Sequence, residues 1–155
     1  MGGMNSFIEN PFDLKDFDQI SDQVFSDSYV FNIKSQKYMQ WSHMLQARAK
    51  HFSCIYVDPL DPTNKIAVAA GGISISHRTD LFLKEKKYTY SDCDIVEQYD
   101  FNRNKWETFN ARLSIARHSA AICEIKGNLY VIGGHTVSLP QEFICSIEVC
   151  PVRAL

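Results

Sequence analysis

The sequence predicts an all-β chain built from repeated units, and three observations carry that expectation. From Tyr29 onward, short runs of β-branched and aromatic residues are separated by polar turns, with no helical periodicity. A double glycine closes a small apolar run twice, in Ile66-Ala67-Val68-Ala69-Ala70-Gly71-Gly72 and in Leu129-Tyr130-Val131-Ile132-Gly133-Gly134. Both copies sit in a larger ordered pattern that recurs at one spacing.

Arg48 and Arg117 lie 69 residues apart, and the excess over the underlying period can be located. Arg48 precedes Gly71 by 23 positions and Arg117 precedes Gly133 by 16, which places seven extra residues near Asp58-Pro59-Leu60-Asp61-Pro62. Gly72 to Tyr99 is 27, against 16 from Gly134 to Cys150, an eleven-residue insertion around His77 to Asp92. Removing both insertions leaves a period of 51, which is also the direct interval from Tyr99 to Cys150. A degenerate earlier copy is visible as well: Phe31-Asn32-Ile33-Lys34-Ser35-Gln36-Lys37-Tyr38 matches Tyr99-Asp100-Phe101-Asn102-Arg103-Asn104-Lys105-Trp106 in residue class.

In chain order, strands are expected near 28–33 and 37–42, then 51–57, 65–70, 94–100 and 104–109, then 118–125, 128–133 and 143–149. The runs Ile66 to Ala70 and Leu129 to Ile132 lack the alternation of a one-sided sheet, so both of their faces should be covered. The glycine pairs have no Cβ, which admits close backbone approach and dihedrals closed to other residues. Lys126-Gly127-Asn128 reads as a tight hairpin turn, and Asn102-Arg103-Asn104 does the same between the Tyr99 and Trp106 strands. Tyr99 and Trp106 supply the large aromatic area expected to seal one sheet against the next.

The ordered set of Gly71-Gly72, Tyr99, Trp106 and Arg117, leading to Gly133-Gly134, resembles the kelch repeat, one blade of a β-propeller with a period of about 50 residues. The resemblance covers about residues 28 to 155. It implies an incomplete kelch-type propeller of consecutive four-stranded antiparallel blades. Residues 28–42 would end a preceding blade, 43–109 would form a complete blade with insertions, and 110–155 a truncated one. Arg48 and Arg117 resemble the family's arginine between blades, expected to hydrogen-bond loop carbonyls. Since propellers have about four to eight blades, the chain is expected to be a section of a longer protein. The alternative is a homo-oligomer in which Phe31 to Trp41 of one copy completes the blade of the next.

At 155 residues, 45% apolar and 22% charged, the composition is that of one globular domain with a sizeable core. A net charge of −2, with no basic cluster beyond Lys84-Glu85-Lys86-Lys87, argues against nucleic acid as a partner. No apolar stretch reaches membrane-spanning length, so stable membrane insertion is not expected and a cytoplasmic location is. The five cysteines, Cys54, Cys93, Cys123, Cys145 and Cys150, have no zinc-site spacing and read as buried free thiols. No metal or other cofactor is expected. Residues 1–27 carry six acids against Lys15 and read as an acidic flexible segment. Their opening, Met1-Gly2-Gly3-Met4-Asn5-Ser6, fits the myristoylation pattern with Gly2 as acceptor, although the acids that follow would be repelled by anionic lipid.

The resemblance implies a protein–protein interaction module or scaffold rather than an enzyme. Loops vary while a rigid scaffold holds still, so recognition is expected on the loop face that carries the 73–93 insertion, beside the Met44 to Lys50 and Asn110 to Ala116 connections. His77, Arg78, Lys84, Lys86, Lys87, Tyr88 and Tyr90 give that insertion positive charge and aromatic surface, which suits a protein or acidic peptide partner. The alternatives are a propeller enzyme of the galactose-oxidase or sialic-acid-epimerase type, or an actin-associated structural protein. No nucleophile elbow, phosphate loop or His-Glu-x-x-His motif occurs in the sequence.

Overall fold

A computed structural model describes residues 24–80, 85–137 and 142–152. Within them the backbone forms eleven strands and no helix. These are β1 (Ser28–Asn32), β2 (Lys37–Trp41), β3 (Phe52–Val57), β4 (Lys65–Ala70), β5 (Ile73–Asp80), β6 (Glu85–Asp92), β7 (Val96–Asp100), β8 (Lys105–Thr108), β9 (Ala121–Ile125), β10 (Asn128–Ile132) and β11 (Ile147–Pro151). Every strand pairing is antiparallel. The strands make a β1-β2 ribbon, a four-stranded sheet ordered β3-β4-β7-β8, a β5-β6 ribbon and a three-stranded sheet ordered β11-β10-β9.

Strand β4 shows why an apolar run can lack alternation. Ile66, Val68 and Ala70 enter one core cluster with Phe52, Tyr56 and Val96, and with Leu129 and Val131 of the three-stranded sheet. Ala67 and Ala69 point the other way, into a cluster with Met44, Tyr99 and Trp106, backed by Trp41 and Phe101. The Trp41 ring of β2 stacks on Tyr99 of β7 with centroids 4.7 Å apart. The four-stranded sheet is therefore covered on both faces, by the β1-β2 ribbon and by the three-stranded sheet. Burying such aliphatic and aromatic side chains contributes roughly 1.5–3 kcal/mol each. The matching run in β10 behaves differently: Leu129 and Val131 are buried, but Ile132 is 43% exposed. Two-sided burial, expected for both runs, holds for β4 and fails for β10, whose far face carries no sheet among the described residues.

The repeat seen in the sequence is also a repeat of backbone geometry. Gln36 and Asn104 end their turns at φ 53 and 52, while Lys50 and Ser119 take φ 52 and 53. Each β1-β2 and β7-β8 turn is closed by a side chain at its start: Asn32 Oδ1 accepts from Ser35 N at 3.0 Å, and Asp100 Oδ1 accepts from Arg103 N at 3.0 Å. The β9-β10 hairpin turns on Lys126 and Gly127, both with positive φ (51 and 78), as a two-residue turn matching strand twist requires.

Several expected boundaries are corrected. The 73–93 insertion is not a loop but the β5-β6 ribbon, whose alternating Ile73-Ser74-Ile75-Ser76 and Tyr88-Thr89-Tyr90 carry the period of a strand. β7 begins at Val96 rather than 94, and β9 at Ala121 rather than 118, because His118 instead forms an isolated bridge with His135. β11 begins at Ile147 rather than 143, since the preceding backbone crosses to the glycine pair, Gly133 N donating to Ser146 O and Ile144 N to Gly134 O. All five cysteines are free thiols, but only Cys93 is buried; Cys54, Cys123 and Cys150 are half-buried and Cys145 is exposed, so the expected burial holds in full only at Cys93. Gly2 and most of the acidic segment lie outside the described residues.

The two glycine pairs share their dihedrals, Gly71 and Gly133 at φ 61 and 66, Gly72 and Gly134 at φ 103 and 108. Their surroundings differ. A Cβ on Gly71 would lie 2.4 Å from the Arg117 carbonyl oxygen, whereas one on Gly133 meets only Ile144 O at 3.4 Å. Gly133→Ala is therefore expected to cost about 1–2 kcal/mol, the penalty for left-handed backbone alone. Gly71→Ala should cost at least about 1 kcal/mol more, because it overpacks against backbone. Urea unfolding of the two variants measures the difference, and equal losses would contradict the crowding argument.

Candidate functional site

The connections entering the four-stranded and the three-stranded sheets each carry a buried arginine. Arg48 is fully buried; its Nη1 donates to Gly71 O at 3.1 Å and Ile95 O at 2.9 Å, and its Nη2 pairs with the Glu97 carboxylate. Glu97 in turn accepts the backbone N–H of Leu45 at 2.7 Å and of Gln46 at 3.2 Å. Arg117 repeats the arrangement, with Nη1 donating to Gly133 O at 2.9 Å and Nη2 paired with Glu148. Glu148 accepts from Ser114 N at 2.7 Å and Ile115 N at 3.2 Å. A charge taken out of water must be paired and hydrogen-bonded, and here every arm of the guanidinium has a task. Burial pushes the Glu148 carboxyl up, but hydrogen bonds from Ser114 and Ile115 and the Arg117 charge outweigh it and hold it below the ordinary range.

Hydrogen bonding of loop carbonyls was the expected part for both arginines. The acid partners were not anticipated. Their signal was present, for Glu97 and Glu148 stand one 51-residue period apart.

These clamps hold the platform from which the β5-β6 ribbon rises. Its base is fixed on two sides: Ile73 bridges Ala49, donating its N–H at 2.8 Å and accepting at 3.0 Å, while Cys93 N donates to Gly72 O at 2.8 Å. Asp92 reaches across to the third sheet, its Oδ1 2.8 Å from His118 Nδ1 and its Oδ2 accepting Val137 N at 2.6 Å. The Asn110 to Ala116 connection lies beside the same base, with Leu113 N donating to Asp94 O at 2.9 Å and Arg112 paired with Asp94 at 3.1 Å. Pairing register sets His77 opposite Tyr88, Arg78 opposite Lys87 and Thr79 opposite Lys86. Lys84 lies outside the described residues, as do the side chains of His77, Arg78, Lys86, Lys87 and Tyr88. Tyr90 is half-buried, opposite Ile75.

A group of histidines surrounds this base and was not singled out from the sequence. His118 is buried with its ring 5.8 Å from that of His135. Burial holds the His118 imidazole below its ordinary value, aided by Lys50 and His135, although Asp92 pulls the other way. His51 is lowered to about 4 by burial and then by the Arg48 charge. Among the described residues, no group of three or more His, Cys, Asp or Glu is placed to hold a metal ion. No helix among them is long and apolar enough to cross a membrane.

Fold and clamps together define an all-β protein of packed antiparallel sheets with an internal structural repeat. No family model matches the chain, and no curated protein matches it. Eighty solved chains do match, so the arrangement is not peculiar to this sequence. One of them, titled "Structure of YjhT", is 17% identical with a TM-score of 0.56, over 76% of this chain and 32% of that one. The likeness concerns fold alone, and this chain spans about a third of that chain's length.

Two measurements probe the clamp. Glu97→Ala strands a fully buried guanidinium and is expected to cost about 3–5 kcal/mol, whereas Glu148→Ala should cost less, because the Glu148 side chain is already 20% exposed. Urea unfolding of each variant gives the ranking, and the reverse order would contradict it. His51 supplies a pH test. Its folded-state value lies below the unfolded value of 6.5, so below pH 6.5 the unfolded chain binds more protons there. Its contribution is intact above that pH and is lost progressively as pH falls toward about 4. Replacing His51 by Leu should flatten the decline of stability across that window, as read by unfolding at a series of pH values.

Proposed function

We propose that the chain is a run of kelch-type propeller blades that acts as a protein–protein interaction module, with the β5-β6 ribbon as its recognition element. In this reading β1 and β2 are the outer half of one blade, β3-β4-β7-β8 is a whole blade, and β9 to β11 are three strands of the next. The observation that carries it is the twofold recurrence of one device, a buried Arg paired with Glu and closing over a Gly-Gly turn, at the register of the sequence repeat. The ribbon supports the binding role because it is additional to that device. It interrupts the four-stranded sheet between β4 and β7 without belonging to it, and its base is fixed to two connections. A rigid platform that presents one variable element is how recognition surfaces are commonly built.

The partner this ribbon suits is an acidic peptide segment. Arg78, Lys84, Lys86 and Lys87, with His77 and the tyrosines Tyr88 and Tyr90, combine charge for encounter with aromatic area for contact. The test is titration of a labelled acidic peptide library into the wild type and into Arg78→Glu/Lys86→Glu/Lys87→Glu. The triple reversal is expected to weaken binding about tenfold or more and to remove its salt dependence. Unfolding midpoints measured on both proteins separate loss of binding from loss of fold. Equal affinity of both proteins for every peptide would refute the assignment.

A further inference from the structure

The β5-β6 register sets two cations face to face, Arg78 opposite Lys87, with Lys86 next along the strand. Like charges directly opposite each other destabilise a strand pair. One pair further out Asp80 stands opposite Glu85, so the ribbon's own acids there form a second like-charged pair. Asp92, at the base, is engaged with His118 and Val137. Carboxylates brought by another segment would therefore stabilise the Arg78 and Lys87 pair, and this chain carries such a segment.

Residues 9–22 lie outside the described residues, and their sequence holds Glu9, Asp13, Asp16, Asp18 and Asp22 against Lys15 alone. At Phe25 the chain runs beside the connection that leads to the base of the ribbon. Phe25 O accepts from Arg48 N at 3.4 Å and Ser26 O from Met44 N at 2.8 Å, while Asp27 meets His43 at 3.0 Å. One residue past Arg48, Ala49 bridges Ile73, the first residue of β5. Two strand spacings, roughly 10 Å, thus separate Phe25 from the foot of the ribbon. Arg78 stands five residues along β5 from Ile73, about 17 Å, and Asp18 precedes Phe25 by seven residues, about 23 Å of extended chain. The acids are within reach of the cations.

We infer that residues 9–22 dock on the β5-β6 ribbon of their own chain, bringing their carboxylates to Arg78, Lys86 and Lys87. A short tether holds such a segment at an effective concentration of about millimolar, so a contact too weak to persist between separate molecules suffices here. With the ribbon as recognition element, the segment is a built-in competitor that an acidic partner must displace. That second role rests on the function proposed above, whereas the contact itself rests on charge and on the path of the chain past Phe25.

Three variants of the whole chain test the contact. The first neutralises the segment (Asp13→Asn/Asp16→Asn/Asp18→Asn/Asp22→Asn), and the second reverses the ribbon (Arg78→Glu/Lys86→Glu/Lys87→Glu). The third joins that reversal to Asp13→Lys/Asp16→Lys/Asp18→Lys/Asp22→Lys, a charge swap. Amide hydrogen exchange over 73–80 and 85–92 should be faster in the first two than in wild type and slow again in the swap, which also shows that the reversed ribbon folds. A labelled peptide copying residues 9–22 should bind the neutralised chain about tenfold more tightly than wild type, because the tethered competitor is gone, and the reversed ribbon about tenfold or more weakly than the neutralised chain. Exchange indifferent to the acids, or equal peptide affinity of wild type and the neutralised chain, would overturn the inference. So would protection that grows with protein concentration, since the segment would then come from a second copy. The two readings fail separately. Acidic library peptides that bind wild type and the neutralised chain alike leave the ribbon as recognition element and remove this contact. Exchange that follows the charge swap while no library peptide binds the neutralised chain keeps the contact and removes the recognition role.

Discussion

A guanidinium without water is the constraint on which the rest of this structure depends. Arg48 and Arg117 are fully buried, and an unpaired charge there would cost several kcal/mol. Each is held by one carboxylate and by carbonyls at the end of the second strand of its own sheet and just before the third. Satisfying one arginine thus fixes where the second strand stops, how the chain turns at the glycine pair, and where the third strand begins. The carboxylate reaches back to two backbone N–H groups of the entering connection, so that connection is fixed as well. Sheet edges, turn geometry and the path between sheets all follow from one ion pair, repeated.

Much of this was legible in residue order, and the reasons are specific. The glycine pairs stand at left-handed backbone and Tyr99 and Trp106 fill large buried volumes, so they are recognisable letters at a fixed spacing. The acids were harder to see, since a glutamate inside a strand is most often a solvent-facing residue, and only its recurrence distinguishes Glu97. The ribbon resembles a loop in sequence because charge dominates Lys84 to Lys87, while the strand signal lies in the weaker alternation of Ser with Ile and of Thr with Tyr. The last strand begins later than its composition suggests for a related reason. Phe143-Ile144-Cys145 looks like a strand by composition, but Phe143 forms only an isolated bridge to His135, and the backbone that follows is used to meet Gly133 and Gly134. The histidines around Asp92 were not anticipated because they lie far apart in the chain and meet only where two sheets adjoin.

The same residues occupy unequal surroundings in the two units, and that inequality shapes how the protein opens. Val68, Ala69 and Ala70 have no exposure at all, being held between the β1-β2 ribbon and the third sheet. Ile132, Ile147 and Val149, in the unit that follows, keep 43–59% of their surface in contact with solvent. Local opening costs least where apolar contact is one-sided, so the third sheet and the β1-β2 ribbon sit at the less protected end and β4 at the most protected.

The β5-β6 ribbon spans this gradient. One side of its base is joined through Ile73 to the connection that enters the protected sheet, and through Cys93 to the turn that closes β4. On the other side, Asp92 holds His118 and Val137 of the less protected unit. The orientation of the ribbon therefore depends on both units being in register, and loosening of the third sheet would release one anchor while the other stays. His118 sharpens that dependence: burial holds its imidazole below the ordinary value, yet it meets a carboxylate that favours the charged form. Protonation there would strengthen the bond to Asp92 and add the cost of a buried charge at the same point. The link between ribbon and third sheet is accordingly a place where packing and charge oppose each other.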